Sequence, residues 1–114
     1  MHRTHQRRQQ RVAYAASVRL HTSGRPHPFE ARSINLSRSG VLVESLQPCA
    51  IGTEVICEIP LPGGRRQLRG RVARLQRLSP AAVGLAIAFT ELEAPDEELL
   101  SEAVGHDDGR TRIV

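Results

Sequence analysis

The feature that most constrains this fold is a repeated alternation of apolar and polar residues, in short segments that glycine and proline interrupt. The first segment, residues 12–20, puts five side chains on one face of an extended chain: Val12, Tyr14, Ala16, Val18 and Leu20. A period of two predicts a half-buried β-strand. Comparable segments follow at 29–36, 40–44, 54–59, 67–78 and 84–89. Six short strands at this spacing predict a mainly β protein, folded as an antiparallel barrel or sandwich.

The end of the chain has a different pattern. Pro95 stands at a first helical position and acidic residues fill the first turn, where the helix dipole favours them. The stripe formed by Leu99, Leu100, Ala103 and Val104 predicts a C-terminal helix that packs on the sheet and ends at Gly105. The predicted organisation is a flexible arm at 1–10, one domain at 11–104 and a disordered tail at 105–114.

Positive charge is concentrated in the first two thirds of the chain. All sixteen basic residues are arginine, and residues 1–78 carry fourteen of them against four glutamates. Residues 79–109 carry eight acidic groups and no arginine. The basic part is therefore where an anion is expected to bind. Arginine suits phosphate or a guanine edge because its planar fork donates two hydrogen bonds at once.

Several classes of protein are disfavoured. Cys49 and Cys57 lack the spacing of a zinc site and are expected to be reduced thiols. The pair His2 and His5 lacks further ligands, so no metal site is predicted. No signal peptide and no apolar run of membrane length is evident, which predicts a cytoplasmic protein. No serine lies in a nucleophile elbow and no histidine has the context of a base, so no enzyme activity and no cofactor are expected.

Two clusters carry the chemistry expected of this chain. Arg7, Arg8 and Arg11 lie just ahead of the first strand and provide charge-assisted hydrogen bonds to phosphate or guanine. Asn35 and Ser37 are two residues apart, so on an extended chain they point the same way. Gly40 permits a positive φ or close approach of a ligand to the backbone. Together these residue types predict a pocket for a guanine nucleotide.

These two clusters resemble the motifs of a known family. Residues 7–11, RRQQR, match the RRxxR motif of PilZ domains, and residues 35–40, NLSRSG, match their [D/N]xSxxG motif. The resemblance covers about residues 7–104 and implies a six-stranded antiparallel β-barrel that binds the bacterial second messenger cyclic di-GMP. It also implies that a flexible arm wraps over the ligand, and that the protein signals through a downstream partner protein.

Carried over by position, the family motifs assign a role to each residue. Arg7 and Arg8 would meet phosphates and a guanine, and Arg11 would anchor the base of the arm. Asn35 and Ser37 would contact a guanine, and Gly40 would shape the turn. Asn35 stands where many family members have aspartate, so a carboxylate acceptor is missing.

Two other interpretations compete with the receptor. A basic protein that binds nucleic acid non-specifically is favoured by Arg69, Arg71, Arg74 and Arg77, but strand alternation predicts Arg74 on the opposite face from the other three. The scarcity of aromatic residues, three in all, also counts against base stacking. The second alternative is a PilZ-like interaction protein that does not bind the nucleotide.

Overall fold

The computed structural model of the protein describes residues 10–105. Within that range the elements in chain order are β1 (Val12–Ala13), β2 (Ser17–Thr22), β3 (Phe29–Leu36), β4 (Gly40–Ser45), β5 (Glu54–Leu61), β6 (Gly64–Arg77), β7 (Val83–Phe89) and α1 (Ala94–Val104). Apart from Gln10 and Gly105, the predicted arm and tail lie outside the described residues.

The strands form one closed antiparallel sheet. β3, β2, β5, β6, β7 and β4 are hydrogen-bonded in that order, and β4 pairs back with β3. The prediction of a mainly β protein with a six-stranded antiparallel barrel and a C-terminal helix is confirmed. β1 pairs with Asn35 and Leu36 at the end of β3, on the edge that β2 occupies only as far as Arg32.

The first predicted strand is divided in two. Ala13 pairs with Asn35 and Ser17 pairs with Arg32, so four residue steps on one strand oppose three on the other. The extra residue interrupts the ladder in the way a β-bulge does. Because the alternation of buried and exposed residues continues through 12–20, the break cannot be seen in the residue pattern. The interruption sets β1 apart, at the end of β3 that leads into the second motif.

A tight turn joins β5 and β6, and it is shorter than the sequence predicts. Pro60 and Leu61 belong to β5, and Leu61 pairs directly with Gly64. The turn is therefore only Pro62 and Gly63, and the φ of 92° at Gly63 suits the third residue of a type II turn. Pro60 is tolerated in the strand because the pairing of β5 with β2 has ended by Glu58.

The barrel interior is filled by aliphatic side chains. Ten of the buried residues are drawn from β2, β4, β5, β6, β7 and α1: Val18, Leu20, Val43, Cys57, Ile59, Leu68, Val72, Leu85, Ile87 and Leu100. Leu100 and Val104 attach α1 to this core, as the apolar stripe predicts. Burial of this kind of surface is the dominant favourable contribution to folding.

The ends of α1 follow the sequence signals. Proline occupies the first turn and the helix ends at Gly105, whose φ is 80° and whose N–H donates to the carbonyl of Ser101 at 3.1 Å. Among residues 10–105, no helix combines the length and apolar character needed to cross a membrane.

Candidate functional site

The second motif forms the turn between β3 and β4. The N–H of Ser37 donates to the carbonyl of Gly40 at 2.9 Å and closes the hairpin. The Ser37 hydroxyl oxygen accepts hydrogen bonds from the N–H groups of Ser39 and Gly40, both at 3.2 Å. Ser37 is 5% exposed, so its first function in the structure is to hold this turn.

Gly40 is required for a different reason from the one that the sequence indicates. Its φ is not positive, and the requirement is for space beside another strand. A Cβ at Gly40 would lie 2.5 Å from the carbonyl oxygen of Ile87 on β7. The glycine therefore lets β4 approach β7 closely.

β3 contains an extra residue just before the motif. Relative to β4, the register moves from Ser33 opposite Val43 to Asn35 opposite Leu42, which leaves Ile34 as a bulge. The bulge reverses the inward and outward positions, so that Leu36 is fully buried. By residue number alone, Asn35 and Ser37 would continue the inward positions 29, 31 and 33. The bulge reverses this pattern, so neither of them continues the inward face. Asn35 is half-buried between Ala13 and Leu42.

The register of β1 brings the two motifs together. Val12 is opposite Leu36 and Ala13 is opposite Asn35. One further step of the same antiparallel register sets Arg11 opposite Ser37, and directly opposed residues have Cα atoms about 4.5 to 5.5 Å apart. Arg11 and Ser37 accordingly line one groove, together with Ser39 and Gly40. Arg7 and Arg8 lie outside the described residues.

That groove lies on the outside of the barrel across β4, β7 and β6. Its volume is ≈ 160 Å³. Three alanines from the neighbouring strands contribute small side chains to it: Ala73, Ala86 and Ala88. These three positions present only methyl groups, beside the larger apolar residues Val41, Leu42 and Ile87, and an apolar surface of this kind suits the face of a planar ring. Arg11 is at one side of this surface, and Arg74 lines it as well. We call this the motif groove.

Arg74 is a residue of the motif groove that the sequence assigns to the wrong face. The register of β6 against β7 shifts between Val72 and Arg74, which leaves Ala73 as a bulge. Arg71 is opposite Ala88 and Arg74 is opposite Ala86, and residues 86 and 88 share a face of β7. Arg74 therefore lies on the same outer face as Arg71. Arg77 is opposite Val83 and therefore lies on the other face. The predicted grouping, Arg69, Arg71 and Arg77 against Arg74, is wrong because it assumes an unbroken strand.

A signal of this bulge is present in the sequence. Leu68, Gly70 and Val72 keep a period of two, but the next large apolar residue, Leu75, follows Val72 at a spacing of three. β3 has the same signal, because its apolar residues Phe29 and Ala31 are two apart but the next one, Ile34, follows at a spacing of three. A spacing of three within an alternating segment marks the position of the extra residue.

The turn of the second motif also contacts the helix. Arg38, between Ser37 and Ser39, donates a long hydrogen bond of 3.5 Å to the hydroxyl of Ser101 on α1. Near the other end of α1, Arg66 of β6 binds Asp96. The helix is thus joined by side chains both to the motif turn and to the barrel wall.

A second depression, of ≈ 380 Å³, lies across β2, β5 and β6 and contains no motif residue. Its cations are near acids, since Arg69 Nε is 3.9 Å from Glu91 Oε1 and Arg71 pairs with Glu54 across the strands. In the part of the chain that the structure describes, no cluster of three or more potential metal ligands is found. The predicted solvated pair, His2 and His5, lies outside that part.

Comparison with known proteins gives one family and several related folds. The chain matches the PilZ domain family over residues 5–105. No curated protein matches it significantly. A structure of the Bacillus subtilis inhibitor of motility MotI/DgrA superposes with a TM-score of 0.76 at 19% identity, covering 98% of this chain and 56% of that one. This chain thus spans just over half the length of that relative.

Two further structures are isolated domains. The PilZ domain of CeSA from a cellulose-synthesising bacterium gives a TM-score of 0.64 at 17% identity, covering 84% of this chain and 96% of that one. The PilZ domain of Escherichia coli YcgR, solved with c-di-GMP, gives 0.71 at 13% identity, covering 87% and 88%. At these identities the superpositions establish a shared fold, while the family match covers most of the sequence. This chain belongs to the PilZ domain family.

Proposed function

We propose that this protein is a receptor for cyclic di-GMP that acts as an adaptor and not as an enzyme. The observation that carries the proposal is the meeting of Arg11 with Ser37 and Gly40 in the motif groove. This groove offers a guanidinium beside an apolar surface. A guanine base has a planar face and acceptors at O6 and N7, which such a surface and an arginine fork complement.

The proposed roles of the motif residues follow from their chemistry. Arg7 and Arg8 bind the phosphates and a guanine, and Arg11 holds the base of the arm beside the ligand. Asn35 provides an amide acceptor and donors for a guanine edge. Ser37 and Gly40 act mainly through the turn, because the Ser37 hydroxyl is occupied by two backbone N–H groups. Arg74 adds a second cation to the motif groove, from β6.

The proposed output is an adaptor function in the bacterial cytoplasm. A dianion that contacts both the arm and the barrel favours the closed arrangement by the contacts that it makes only there. The contact from Arg38 to Ser101 connects the ligand turn with α1, so binding is expected to change the surface near the helix. A downstream partner protein then recognises that surface.

A calorimetric titration with cyclic di-GMP tests this function, and cyclic di-AMP is the matched ligand control. We expect saturable binding of the guanine dinucleotide and at least about tenfold weaker binding of the adenine one, because bidentate guanine contacts contribute about 1 to 3 kcal/mol. Residues 2–10 are expected to gain amide protection when the ligand is bound. Equal affinity for both dinucleotides argues against the assigned guanine contacts. No binding of either supports the alternative of an interaction protein that does not bind the nucleotide.

Non-specific binding of nucleic acid is a second candidate, favoured by one observation. Arg69, Arg71 and Arg74 lie on one outer face of β6. Against it, Arg69 and Arg71 are near the acids Glu91 and Glu54, which reduce the local positive charge. Binding of random duplex DNA that falls steeply with salt, together with no preference for cyclic di-GMP, is the result that supports this candidate.

A further inference from the structure

β6 is longer than the strands beside it, and this leaves part of one edge without a partner. Its first half pairs with β5 as far as Arg71 opposite Glu54. The loop before β5 adds one more step, since the N–H of Val72 donates to Thr53 and the carbonyl of Val72 accepts from Gly52. Residues 73–77 pair only with β7 among the described residues. Alternate residues of this stretch direct their N–H and C=O groups to the open edge.

An apolar groove lies along this part of β6, with a volume of ≈ 410 Å³. It is lined by Leu46 and Pro48 from the loop after β4, by Leu75 to Arg77, and by the turn at 80–83. Leu75 is opposite the fully buried Leu85 but is itself 40% exposed, and Leu46 is 76% exposed. Two of the three large exposed aliphatic side chains in residues 10–105 therefore line this groove. Exposed apolar side chains grouped around a groove are a common feature of protein contact surfaces.

The charge of the groove restricts what can bind there. Arg77 is its one charged residue, and no acid lines it. Arg74 lies next to Leu75 on the outer face of the same strand. A second copy of this chain, paired edge to edge, would add further arginines to an edge at 73–77 that offers no acid to pair with them. The charge therefore favours an acidic partner over self-association.

We propose that the open edge of β6 at residues 73–77 accepts an extended, acidic and apolar segment of another protein as an added strand. The backbone of that segment hydrogen-bonds with the free edge, which is a general mode of peptide recognition. Its apolar side chains contact Leu46 and Leu75, and its carboxylates pair with Arg77. The apolar groove shares no lining residue with the motif groove, although Ala73 and Arg74 at the start of the open edge also line the motif groove. The inference does not rest on cyclic di-GMP binding, because the groove and the free backbone edge are present without a ligand.

The bulge and the arginines on this edge are consistent with that use. Edge strands are commonly protected from self-pairing by bulges and by charged side chains. Ala73 and Arg77 fulfil both conditions, yet Leu75 and Leu46 remain exposed beside them. Protection alone is better served by polar residues at those two positions. The bulge and the arginine disfavour pairing with a second copy of this edge, while the exposed leucines and the positive charge suit an acidic and apolar strand.

The test uses a short labelled peptide of alternating threonine, in which the residues between the threonines are valine and glutamate in turn, so that both types lie on the face that meets Leu75 and Arg77. It is titrated against the full chain and followed by NMR. We expect saturable binding with the largest amide shifts at Leu75 and Arg77. The matched control peptides replace glutamate with lysine, or carry N-methyl groups on alternate backbone nitrogens. Both are expected to bind at least about tenfold more weakly, because one loses charge complementarity and the other loses the backbone hydrogen bonds.

Variants of the protein locate the site. Arg77→Glu and Leu75→Glu are each expected to lower the affinity for the peptide by about tenfold or more. Leu46→Glu is a second test at a side chain too exposed to affect folding. Arg65→Glu, on the paired half of the same strand, is the charge-matched control and is expected to leave affinity unchanged. Failure of the valine–glutamate peptide to bind overturns the proposal, as do shifts confined to another surface. A dimer held through residues 73–77 in ultracentrifugation overturns it in favour of a second copy.

Discussion

Arg66 on β6 donates two hydrogen bonds to the same carboxylate oxygen of Asp96 on α1, from Nε at 3.2 Å and from Nη2 at 2.6 Å. The Asp96 side chain is 12% exposed and that of Arg66 is 40% exposed, so the pair is only partly screened by water. This ion pair attaches the first turn of the helix to the barrel, close to the turn between β5 and β6.

Replacement of Asp96 by Asn is expected to lower the free energy of unfolding by about 1 to 2 kcal/mol, because charge-assisted bonds to a partly buried carboxylate are lost. Urea denaturation measures the change. Glu97→Gln is the matched control, since Glu97 is also an acid of the first helical turn but is exposed. Equal effects of the two substitutions would mean that the helix dipole, and not Arg66, accounts for the stabilisation.

Ser37→Ala is expected to destabilise the protein by about 1 to 2 kcal/mol, because the N–H groups of Ser39 and Gly40 lose their acceptor. Thermal or urea unfolding measures this without any ligand. Ser39→Ala is the control, since its hydroxyl has only a 3.3 Å contact with that of Ser37. If Ser37→Ala lowers the affinity for cyclic di-GMP and leaves the free energy of unfolding unchanged, the hydroxyl contacts the ligand and does not stabilise the turn.

Gly40→Ala tests the close approach of β4 and β7. The added Cβ would meet the carbonyl oxygen of Ile87, a backbone atom that moves only if the strands separate. Overpacking of this kind costs about 1 to 3 kcal/mol, measurable by urea denaturation. A stability equal to that of the unmodified protein contradicts the assigned role of this glycine.

The strands, the helix and the two motifs could be predicted from the sequence because each depends on local pattern. Alternation at 54–59 and the apolar stripe of α1 are properties of neighbouring residues. Whether the sheet closes is not such a property. Closure needs β4 to pair with β3 on one side and β7 on the other, and β2 to pair with β5. Periodicity therefore left barrel and sandwich open, and the family motifs decided between them.

The composition of the motif groove could be predicted only in part. The sequence motifs identify Arg11 and Ser37 as candidate ligand-binding residues. Their proximity, however, depends on the short pairing of β1 with β3, which no sequence pattern predicts. Arg74 was assigned to the wrong face because an extra residue at Ala73 reverses the alternation. Gly40 does not have the positive φ that its residue type permits, and the strand that approaches it closely, β7, is distant in sequence.

Cys57 is expected to be unreactive in the folded protein. Burial raises its pKa to about 12, because the thiolate would be desolvated inside the barrel. A thiol reagent at pH 8 should therefore label Cys57 only after unfolding. The folded-state pKa is above the ordinary value of 9.0, so the folded protein holds the thiol proton more tightly than the unfolded chain does. The stability that depends on the protonated thiol is therefore complete below pH 9 and is lost as the pH rises toward 12. Rapid labelling of the native protein at Cys57 would contradict its burial.

Arg11→Ala and Arg74→Ala are each expected to weaken cyclic di-GMP binding at least about tenfold, because each removes a charge-assisted or bidentate contact contributing about 1.5 to 3 kcal/mol. Calorimetry measures the affinities, and unfolding curves are expected to be unchanged, since both side chains are exposed. Arg32→Ala is the charge-matched control, because Arg32 is also exposed but lies outside the motif groove. Equal losses for all three variants would mean that the ligand responds to net charge alone. A loss at Arg11 with none at Arg74 would confine the ligand to the part of the groove beside β1 and β4.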